Sequence, residues 1–315
     1  MKANAGRMNN RDFSVGIMAF NEENALPLLF DDLLLQKLEK FSMREVIVVA
    51  SGCTDNTQLM AEEAKRKYPN VKLIIQSQRE GKASAVKLFL KAAESGLLVL
   101  VSADVRVSEG SLERLLIPLL EDSVGMTVGR AMPVNSQDSF IGFSVNYLWH
   151  MHHQMSLVRP KASEILAMRN CVKHIDIQTA VDDSYLEAML SKQGLAIKYV
   201  SGAVVYNKGP ETLAEFFCQR ERIYTGHLWL RSKLNYSVVS IDYHLLIKLL
   251  LADLKIRQKH FFWKIGVVLL EMTARINAII KFSLFSYNPF VWKSLRSTKT
   301  AIYFNDCGLP ENNKI

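Results

Sequence analysis

Residues 13–23 read FSVGIMAFNEE, a continuous apolar run that ends in polar and acidic side chains. Similar runs follow at 45–49 (EVIVV), 71–75 (VKLII) and 97–101 (LLVLV), and a helix-like segment comes after each of them. Apolar strands that alternate with helices are typical of a parallel sheet covered by helices on both faces. The sequence therefore predicts an α/β fold built on a mostly parallel sheet.

The rest of the chain is assigned more coarsely. Asn21 is a candidate N-cap for the first helix, because its side-chain oxygen can accept a hydrogen bond from an unpaired helical N–H. Residues 135–165 are rich in aromatic and histidine side chains and are given no regular element. Further predicted elements are helices at 26–38, 57–67, 79–93, 111–121, 180–193 and 212–233, strands at 124–132 and 197–206, and one or two helices within 242–285.

The composition is that of a folded protein in a reducing compartment. Apolar residues make up 49% of the 315 residues and charged residues 22%, which suits a full core and excludes a disordered chain. The four cysteines form no CxxC pair, which excludes a disulfide scaffold and a zinc ribbon. The polar start, residues 1–11, does not resemble a signal peptide and is expected to be a frayed terminus. We therefore expect a cytoplasmic location.

The positive charge of the chain is concentrated in its last third. Basic and acidic residues balance over 1–200, so the whole formal net charge of +8 falls in 201–315. Such asymmetry indicates a surface that meets phosphates, on nucleic acid or on anionic lipid. Within 231–300 the basic residues alternate with aliphatic and aromatic runs, which favours an anionic membrane surface. The alternative, helices that pack on the core with a solvated basic face, stays open.

Polar and acidic side chains gather at the ends of the predicted strands. Glu22 follows the first strand, Ser51 opens the turn after the second, and Asp104 follows the fourth. The carboxyl ends of parallel strands meet at one edge of a sheet, where such folds bind their ligands. A carboxylate at the end of an apolar strand is costly to bury alone, and Asp104 could hold Mg²⁺ or Mn²⁺ against a diphosphate.

The order of these motifs resembles a known enzyme family. Each motif is weak alone, but together and in order they are specific over residues 13–230. The chain is similar to the family 2 inverting glycosyltransferases of GT-A (Rossmann-like) fold, in the branch that includes the cellulose, chitin, hyaluronan and poly-N-acetylglucosamine synthases. The motifs are Asn21-Glu22-Glu23, Ser51-Gly52-Cys53-Thr54-Asp55, Gly81-Lys82, Ser102-Ala103-Asp104, Asp182-Asp183, Pro210-Glu211-Thr212 and Gln219-Arg220-Glu221-Arg222-Ile223.

The resemblance implies two regions and a site for a nucleotide-diphosphate sugar. Residues 12–233 would form the GT-A catalytic domain, and residues 234–315 a basic amphipathic helical extension suited to a membrane surface. Glu22, Ser51 and Lys82 would bind the nucleotide part of the donor. Ser51 departs from the family pattern, because acidic residues are common at this place in the family.

The resemblance also implies a metal and a base. Asp104 matches the last carboxylate of the family's D-x-D motif and would hold Mg²⁺ or Mn²⁺ as cofactor, although Ser102 replaces the first. Asp183 matches the carboxylate that takes the proton of the acceptor hydroxyl, as an inverting transfer requires. Asp182 stands in place of the family's glutamate and is assigned to donor binding.

Gln219 and Arg222 match the family's Q-x-x-R-W motif. They are three positions apart, so a helix presents them on one face. Arg222 would neutralise the departing diphosphate, and Gln219 would donate to the acceptor or the leaving group. Ile223 replaces the aromatic residue that commonly floors the acceptor site in the family, and Tyr224, Trp229 or Trp149 is expected to take its place.

Rival enzyme classes lack their motifs. The first strand is followed neither by the G-x-G-x-x-G loop of dinucleotide oxidoreductases nor by the G-x-G-x-R loop of sugar-nucleotide pyrophosphorylases. We expect metal-assisted transfer of a sugar to a hydroxyl of a saccharide or lipid-linked acceptor, at the cytoplasmic face of a membrane and without nucleic acid. The alternative is a non-catalytic nucleotide-sugar-binding or scaffold protein derived from this fold.

Overall fold

The structure, a computed structural model, describes residues 11–253, 260–292 and 294–304. The N-terminal segment expected to fray lies outside these ranges except for its last residue, as do the basic residues at 255, 257 and 259. The strands are β1 (Asp12–Ala19), β2 (Ser42–Ser51), β3 (Val71–Gln76), β4 (Leu97–Ser102), β5 (Val105–Val107), β6 (Val124–Pro133), β7 (Ile165–Arg169) and β8 (Ala196–Asn207). The helices are α1 (Leu26–Leu34), α2 (Thr57–Lys67), α3 (Lys82–Ala92), α4 (Ser111–Leu116), α5 (Phe140–Val158), α6 (Asp182–Lys192), α7 (Leu213–Leu234), α8 (Tyr243–Asp253) and α9 (Phe261–Phe285).

All the strands join one sheet in the order β3-β2-β1-β4-β7-β6-β8-β5. Strands β3, β2, β1 and β4 run parallel, with Ile17 of β1 opposite Val48 of β2 and Val101 of β4. Strand β7 pairs antiparallel with both β4 and β6, and β5 pairs antiparallel with β8. The predicted α/β fold with a mostly parallel sheet is confirmed.

Two apolar layers cover the sheet because successive strand residues point to opposite faces. Val99 and Val101 of β4 face a core shared with α1 and α4. Leu98 and Leu100 face the second core, which contains Phe89 of α3 and side chains of α6. With both faces covered, the exposed carboxyl edge of the parallel strands is the place left for polar chemistry.

The sequence interpretation missed α5 and β7, which together fill most of residues 140–169. The β7 sequence ILAMR is a short apolar run, and periodicity alone does not separate such a run from a buried piece of helix. Strand β7 has a direct consequence for function, because its antiparallel pairing brings Glu164 beside Ser102 at the end of β4.

The predicted N-cap role of Asn21 is wrong. Helix α1 begins at Leu26, and no side chain caps it. Asn21 has a φ of 54° and bonds across to the turn after β2, where Thr54 N donates to its Oδ1 at 2.8 Å and its Nδ2 donates to Thr54 Oγ1 at 3.0 Å. It therefore joins two loops at the carboxyl edge of the sheet rather than ending a helix.

Helices α8 and α9 pack on the preceding part of the chain. Helix α9 lies along α7 and α5, and α8 lies on α5. The guanidinium of Arg220 on α7 holds both carboxylate oxygens of Glu271 on α9, at 2.7 and 2.9 Å. Among the described residues, no helix combines the length and apolarity that crossing a bilayer requires.

The chain after α9 returns across the carboxyl edge of the sheet. We call residues 286–304, as far as they are described, the C-terminal strap. Asn288 donates to the carbonyl of Gln178 at 2.8 Å, and Arg106 donates to the carbonyl of Ile302 at 2.8 Å. The strap thus passes over the strand ends from the side of α6 to the side of β5.

Candidate active site

A cavity of about 1230 Å³ opens at the carboxyl edge of the sheet. The ends of β1, β2 and β4 form one wall, and α6, α7, α9 and the C-terminal strap form the others. The structure places every predicted site residue on this cavity: Glu22, Ser51, Lys82, Asp104, Asp182, Asp183, Gln219 and Arg222. Residues up to 200 positions apart in sequence therefore share one site.

Glu22 is buried at the end of β1. Its carboxylate contacts the ammonium of Lys299 on the C-terminal strap, and its Oε2 has no hydrogen-bond partner among the described residues. Burial and the nearby charge of Asp104 raise the pKa of Glu22 to about 8, although Lys299 opposes the shift. A ligand that donates a hydrogen bond to Glu22 would meet this unpaired oxygen.

Ser51 is held in place by its neighbours. Its hydroxyl donates to Oε1 of Gln76 at 2.6 Å, and Gln76 donates in turn to Ser84 Oγ at 2.9 Å. This chain of hydrogen bonds links the end of β2 to β3 and α3. Because the Ser51 hydroxyl already donates to Gln76, it can only accept hydrogen bonds from a ligand.

A second carboxylate accompanies Asp104. Ser102 donates to Oε2 of Glu164 at 2.6 Å, so Glu164 lies where the sequence lacks a motif carboxylate. Burial and the charge of Asp104 raise the pKa of Glu164, against the opposing charge of Lys82. A divalent cation bound nearby would reduce the electrostatic repulsion between these two carboxylates.

The residues near Asp104 fit a divalent cation that would take only some of its ligands from the protein. Oxygen ligands of this kind suit Mg²⁺ and Mn²⁺. No cluster of three or more metal-ligating side chains occurs in the described part of the chain. Such an ion would therefore need diphosphate oxygens to complete its ligands beside Asp104.

Lys82 begins α3 and reaches the acidic end of α6. Its ammonium lies 3.7 Å from Oδ2 of Asp182. Burial lowers the pKa of Lys82, but the surrounding carboxylates outweigh burial and raise it. The preceding Gly81 has a φ of +95°, and a Cβ there would lie 2.6 Å from the carbonyl oxygen of Phe290 on the strap, so glycine is required at this position.

Asp183 lies at the start of α6, where the helix dipole favours a negative charge. Its Oδ1 accepts from the backbone N–H of Ser184 at 2.7 Å. Burial, followed by the charge of Asp182, raises the pKa of Asp183, while Lys82 opposes the shift. A carboxylate with a raised pKa on a cavity wall is suited to accept a proton.

Gln219 and Arg222 face the same cavity from α7. The Arg222 guanidinium lies over the ring of Trp292, 4.1 Å from its centroid. Burial lowers the pKa of Arg222 to about 10, against the attraction of nearby carboxylates led by Asp182. The aromatic ring beside Arg222 thus belongs to Trp292 on the strap, which was not among the expected residues. Tyr224 and Trp229 pack in the apolar core, and Trp149 lines the cavity.

The sequence interpretation missed several charged and aromatic residues of the cavity, among them Lys161, Glu164, Trp292 and Lys299. Glu164 arrives through the unpredicted β7, and Trp292 and Lys299 arrive through the strap. Lys161 precedes β7 and is nine-tenths buried. In the sequence these residues carry no motif, so only their shared cavity identifies them.

The histidines of α5 diverge. His152 is buried against the carbonyl of Ala162 at 3.2 Å, and His153 pairs with the hydroxyl of Tyr199 at 2.7 Å. His150 lies 3.7 Å from Asp253 of α8. The contacts of the three rings are with different parts of the fold.

Solved structures share this architecture. Mannosyltransferase PcManGT from Pyrobaculum calidifontis, in complex with GDP-Man and Mn²⁺, is similar with a TM-score of 0.60 and 16% identity, over 88% of this chain and 81% of that one. Glucosyl-3-phosphoglycerate synthase from Mycobacterium tuberculosis, with Mg²⁺ and UDP, has a TM-score of 0.51 and 18% identity, over 71% of this chain and 80% of that one. At these identities the likeness concerns the fold.

Curated relatives match a shorter segment. The minor teichoic acid biosynthesis protein GgaB of Bacillus subtilis is 31% identical over 107 residues, 34% of this chain and 12% of the relative. The undecaprenyl-phosphate 4-deoxy-4-formamido-L-arabinose transferase of Proteus mirabilis is 30% identical over 128 residues, 40% of this chain and 38% of the relative. The mouse dolichyl-phosphate beta-glucosyltransferase is 30% identical over 112 residues, 33% of this chain and 35% of the relative. The matched segment thus spans less than two fifths of each relative.

A family model matches a larger part of the chain. It covers residues 14–179, which run from β1 to the loop before α6 and include Glu22, Ser51, Lys82 and Asp104. This range is more than half of the 315 residues. The chain belongs to glycosyl transferase family 2.

Proposed function

We propose that the protein transfers a sugar from a nucleotide-diphosphate sugar to a hydroxyl of a saccharide or lipid-linked acceptor, with inversion at the sugar carbon. The observation that carries this proposal is the meeting of Asp183, Lys82 and Arg222 in one cavity at the strand ends where Asp104 lies. A base and two cations in one cavity are what an in-line displacement of a diphosphate requires. Membership of family 2 supports the same reaction class.

Asp183 is the proposed base. The acceptor oxygen attacks the anomeric carbon from the face opposite the diphosphate and loses its proton to the Asp183 carboxylate. The bond between that carbon and the diphosphate oxygen breaks, and the nucleoside diphosphate leaves with the electron pair. The raised pKa of Asp183 strengthens it as a base, because proton transfer is most effective when the pKa lies near the working pH.

The cations stabilise the leaving group. Arg222 and Lys82 face the cavity from α7 and α3, so they can meet the diphosphate from two sides. The flat face of Trp292 orients the Arg222 guanidinium and limits its motion. Gln219, three positions before Arg222, is assigned to donate to the acceptor or the leaving group.

Mg²⁺ or Mn²⁺ is the proposed cofactor, with Asp104 as its ligand from the protein. When bound, such an ion would neutralise the negative charge that develops on the diphosphate. Glu22 and Ser51 are assigned to the nucleotide, and Asp182 helps to hold Lys82 in the donor site. The unpaired Oε2 of Glu22 supports its role as an acceptor of donor hydrogen bonds.

A lipid-linked acceptor would place the enzyme at the cytoplasmic face of a membrane. Two relatives support acceptors of this kind by their names: one is an undecaprenyl-phosphate transferase and the other a dolichyl-phosphate glucosyltransferase. The basic excess of residues 201–315 supports peripheral contact with an anionic surface. The narrower resemblance to the polysaccharide synthase branch stays a prediction from the motif order.

Turnover separates this enzyme from a non-catalytic scaffold of the same fold. The purified chain is incubated with UDP- and GDP-sugars and Mn²⁺, and release of the nucleoside diphosphate is measured, with Asp183→Asn as the control. We expect metal-dependent release that Asp183→Asn abolishes. Nucleotide binding without turnover of any donor, with or without added acceptors, would support the scaffold instead.

A further inference from the structure

Lys161 is a buried cation of the cavity for which the described residues provide no hydrogen-bond or ion-pair partner. The side chain of Lys161 is nine-tenths buried and lines the cavity. Within the described part of the chain, its ammonium makes no hydrogen bond and no ion pair. The neighbouring backbone N–H of Ala162 donates to Glu187 instead. A buried charge without a partner is costly, and it points to a ligand of opposite charge.

Charges of both signs surround Lys161. Burial and then the guanidinium of Arg220 lower the pKa of Lys161 to about 8, against the opposing charges of Asp183 and Glu187. Arg220 and Arg275 share the carboxylate of Glu271, at 2.7 to 2.9 Å. These two arginines thus have a counter-ion in Glu271, whereas Lys161 forms no ion pair in the described part of the chain.

The two carboxylates near Lys161 have other hydrogen-bond partners. Glu187 accepts from the hydroxyl of Tyr236 at 2.6 Å and from the backbone N–H of Ala162 at 2.9 Å. Asp183 accepts from the backbone N–H of Ser184 at 2.7 Å. Neither carboxylate forms an ion pair with Lys161 in the described part of the chain, so the ammonium is available to an anionic ligand.

The cavity beside Lys161 is apolar and reaches the surface. Met151, Leu250 and Val267 line it from α5, α8 and α9. Ile247 of α8 and Met272 of α9 also line it, and they are 54% and 53% exposed. The cavity that Lys161 lines therefore also has an apolar wall that reaches the outside of the molecule.

An exposed apolar stripe continues this wall along α9. Phe262, Ile265, Leu269, Met272, Ile276 and Ile279 are exposed and follow one another at intervals of three and four residues. That spacing places them on one face of the helix. Met272 belongs both to the stripe and to the cavity, so the two apolar surfaces are continuous.

We propose that this part of the cavity binds a lipid-linked acceptor through the phosphate that joins its saccharide to a hydrocarbon chain, with the phosphoryl group at Lys161 and the hydrocarbon chain leaving between Ile247 and Met272. The inference rests on the proposed function and defines its acceptor. A free saccharide would not use the apolar wall, and inorganic phosphate would not need it. An amphiphile with an anionic head matches both the unpaired cation and the apolar exit.

Binding of three probes tests the proposal: dodecyl phosphate, dodecyl maltoside and inorganic phosphate, below their micellar concentrations, by isothermal titration calorimetry. The wild-type chain is expected to bind dodecyl phosphate at least tenfold more tightly than either other probe. Lys161→Gln should remove the preference for dodecyl phosphate over dodecyl maltoside, and Lys161→Arg should keep it. Lys87→Gln, at an exposed lysine of α3, is the matched control and should behave as wild type.

A substitution at Ile247, beside the proposed exit, tests the contribution of the hydrocarbon chain separately from that of the phosphoryl group. Ile247→Asp should weaken both dodecyl probes at least tenfold and leave inorganic phosphate unchanged. Equal affinity of the wild-type chain for the two dodecyl probes, or a preference that survives Lys161→Gln, would overturn the proposal. Inorganic phosphate binding as tightly as dodecyl phosphate would reduce the site to a simple anion site.

Nucleotide binding tests the donor site, so failure of the acceptor assignment can be distinguished from failure of the proposed function. UDP and GDP are titrated with Mn²⁺ into the same preparations. If a nucleotide binds and the lipid phosphate is not selected, the acceptor assignment fails and the donor assignment stands. If no nucleotide binds, the proposed function itself fails, whatever the result with the lipid probes.

Discussion

The ammonium of Lys299 contacts the carboxylate of Glu22 across 277 positions of the sequence. The same ammonium donates to the carbonyl of Phe20 at 2.9 Å, so the C-terminal strap is attached to the turn after β1. Glu22 is also the residue assigned to the nucleotide. A nucleotide that uses the unpaired Oε2 of Glu22 would therefore share this carboxylate with Lys299.

Lys299→Met should tighten nucleotide binding. Without the ammonium, both oxygens of Glu22 can accept hydrogen bonds from the nucleotide, and the carboxylate is no longer shared with Lys299. We expect a fivefold to tenfold lower Kd for the preferred nucleoside diphosphate, equivalent to roughly 1 kcal/mol. Calorimetric titration measures it, with Lys192→Met at an exposed site as the control. A weaker affinity would mean that Lys299 itself binds the donor.

Asp104→Asn should remove the metal dependence of nucleotide binding. Asparagine keeps the shape of the side chain and loses the charge that attracts a divalent cation. We expect the gain in nucleotide affinity produced by Mn²⁺ in the wild type to fall at least tenfold. The measurement is a titration with and without Mn²⁺, with the exposed Asp122→Asn as the control. Unchanged affinity and unchanged metal dependence would contradict the assignment.

Asp183→Asn should reduce turnover while donor binding survives. An amide cannot take the proton of the acceptor hydroxyl, and loss of a general base costs on the order of 10²-fold or more. Steady-state turnover and nucleotide binding are measured on the same preparation. If Asp182→Asn has this effect and Asp183→Asn does not, the base is the neighbouring residue.

Glu271→Gln should change how stability depends on pH. Burial alone would raise the pKa of Glu271, but Arg220 and Arg275 outweigh burial and lower it from 4.5 to about 2. The carboxylate therefore stabilises the fold fully above about pH 4.5, and this contribution is lost as the pH falls through 2. A shift of this size corresponds to roughly 3 kcal/mol.

Glu271→Gln should therefore destabilise the fold most at pH values where the wild-type carboxylate is ionised. At pH 7 the variant should be less stable by about 3–5 kcal/mol, because two buried guanidinium groups lose their shared counter-ion. Between pH 5 and pH 2.5 the wild type should lose more stability than the variant. Urea unfolding followed by circular dichroism measures both, with Glu121→Gln of an exposed ion pair as the control. Parallel pH profiles would show that Glu271 is not ionised in the folded chain.

Anionic vesicles test the predicted membrane contact. Because α9 packs on α7, substitutions on its exposed face are preferable to removal of residues 234–315. Trp263 packs against Phe143, whereas Phe262 is 82% exposed, so we expect any insertion to use the apolar stripe of α9. Leu269→Asp with Ile276→Asp should abolish co-sedimentation with phosphatidylglycerol vesicles.

Salt distinguishes the two parts of that contact. Raising the salt from 0.1 M to 1 M shortens the Debye length from about 10 Å to about 3 Å, so the contribution of the basic residues should fade. Apolar insertion should leave part of the binding at high salt. A wild-type chain that ignores anionic vesicles at low salt would contradict membrane contact and favour the packed, solvated alternative.

The strand pattern was predictable because it depends on local chemistry. The runs at 13–19, 45–49, 71–75 and 97–101 are mostly apolar, a pattern typical of a covered parallel sheet. The same pattern located Glu22 and Asp104, since a polar residue directly after such a strand must lie at the carboxyl edge. The helix over Thr57–Lys67 was predicted to the residue.

Tertiary structure decided what fills that edge. Glu164 reaches Ser102 through the antiparallel pairing of β7, and Trp292 and Lys299 reach Arg222 and Glu22 through the C-terminal strap. None of these contacts has a periodic or motif signal, because each joins segments that are far apart in the sequence. The sequence by itself determined the sheet and the chemistry at its strand ends. Long-range packing alone decided which cations, carboxylates and aromatic rings surround that chemistry, since burial and distance between remote side chains exist only once the chain has folded.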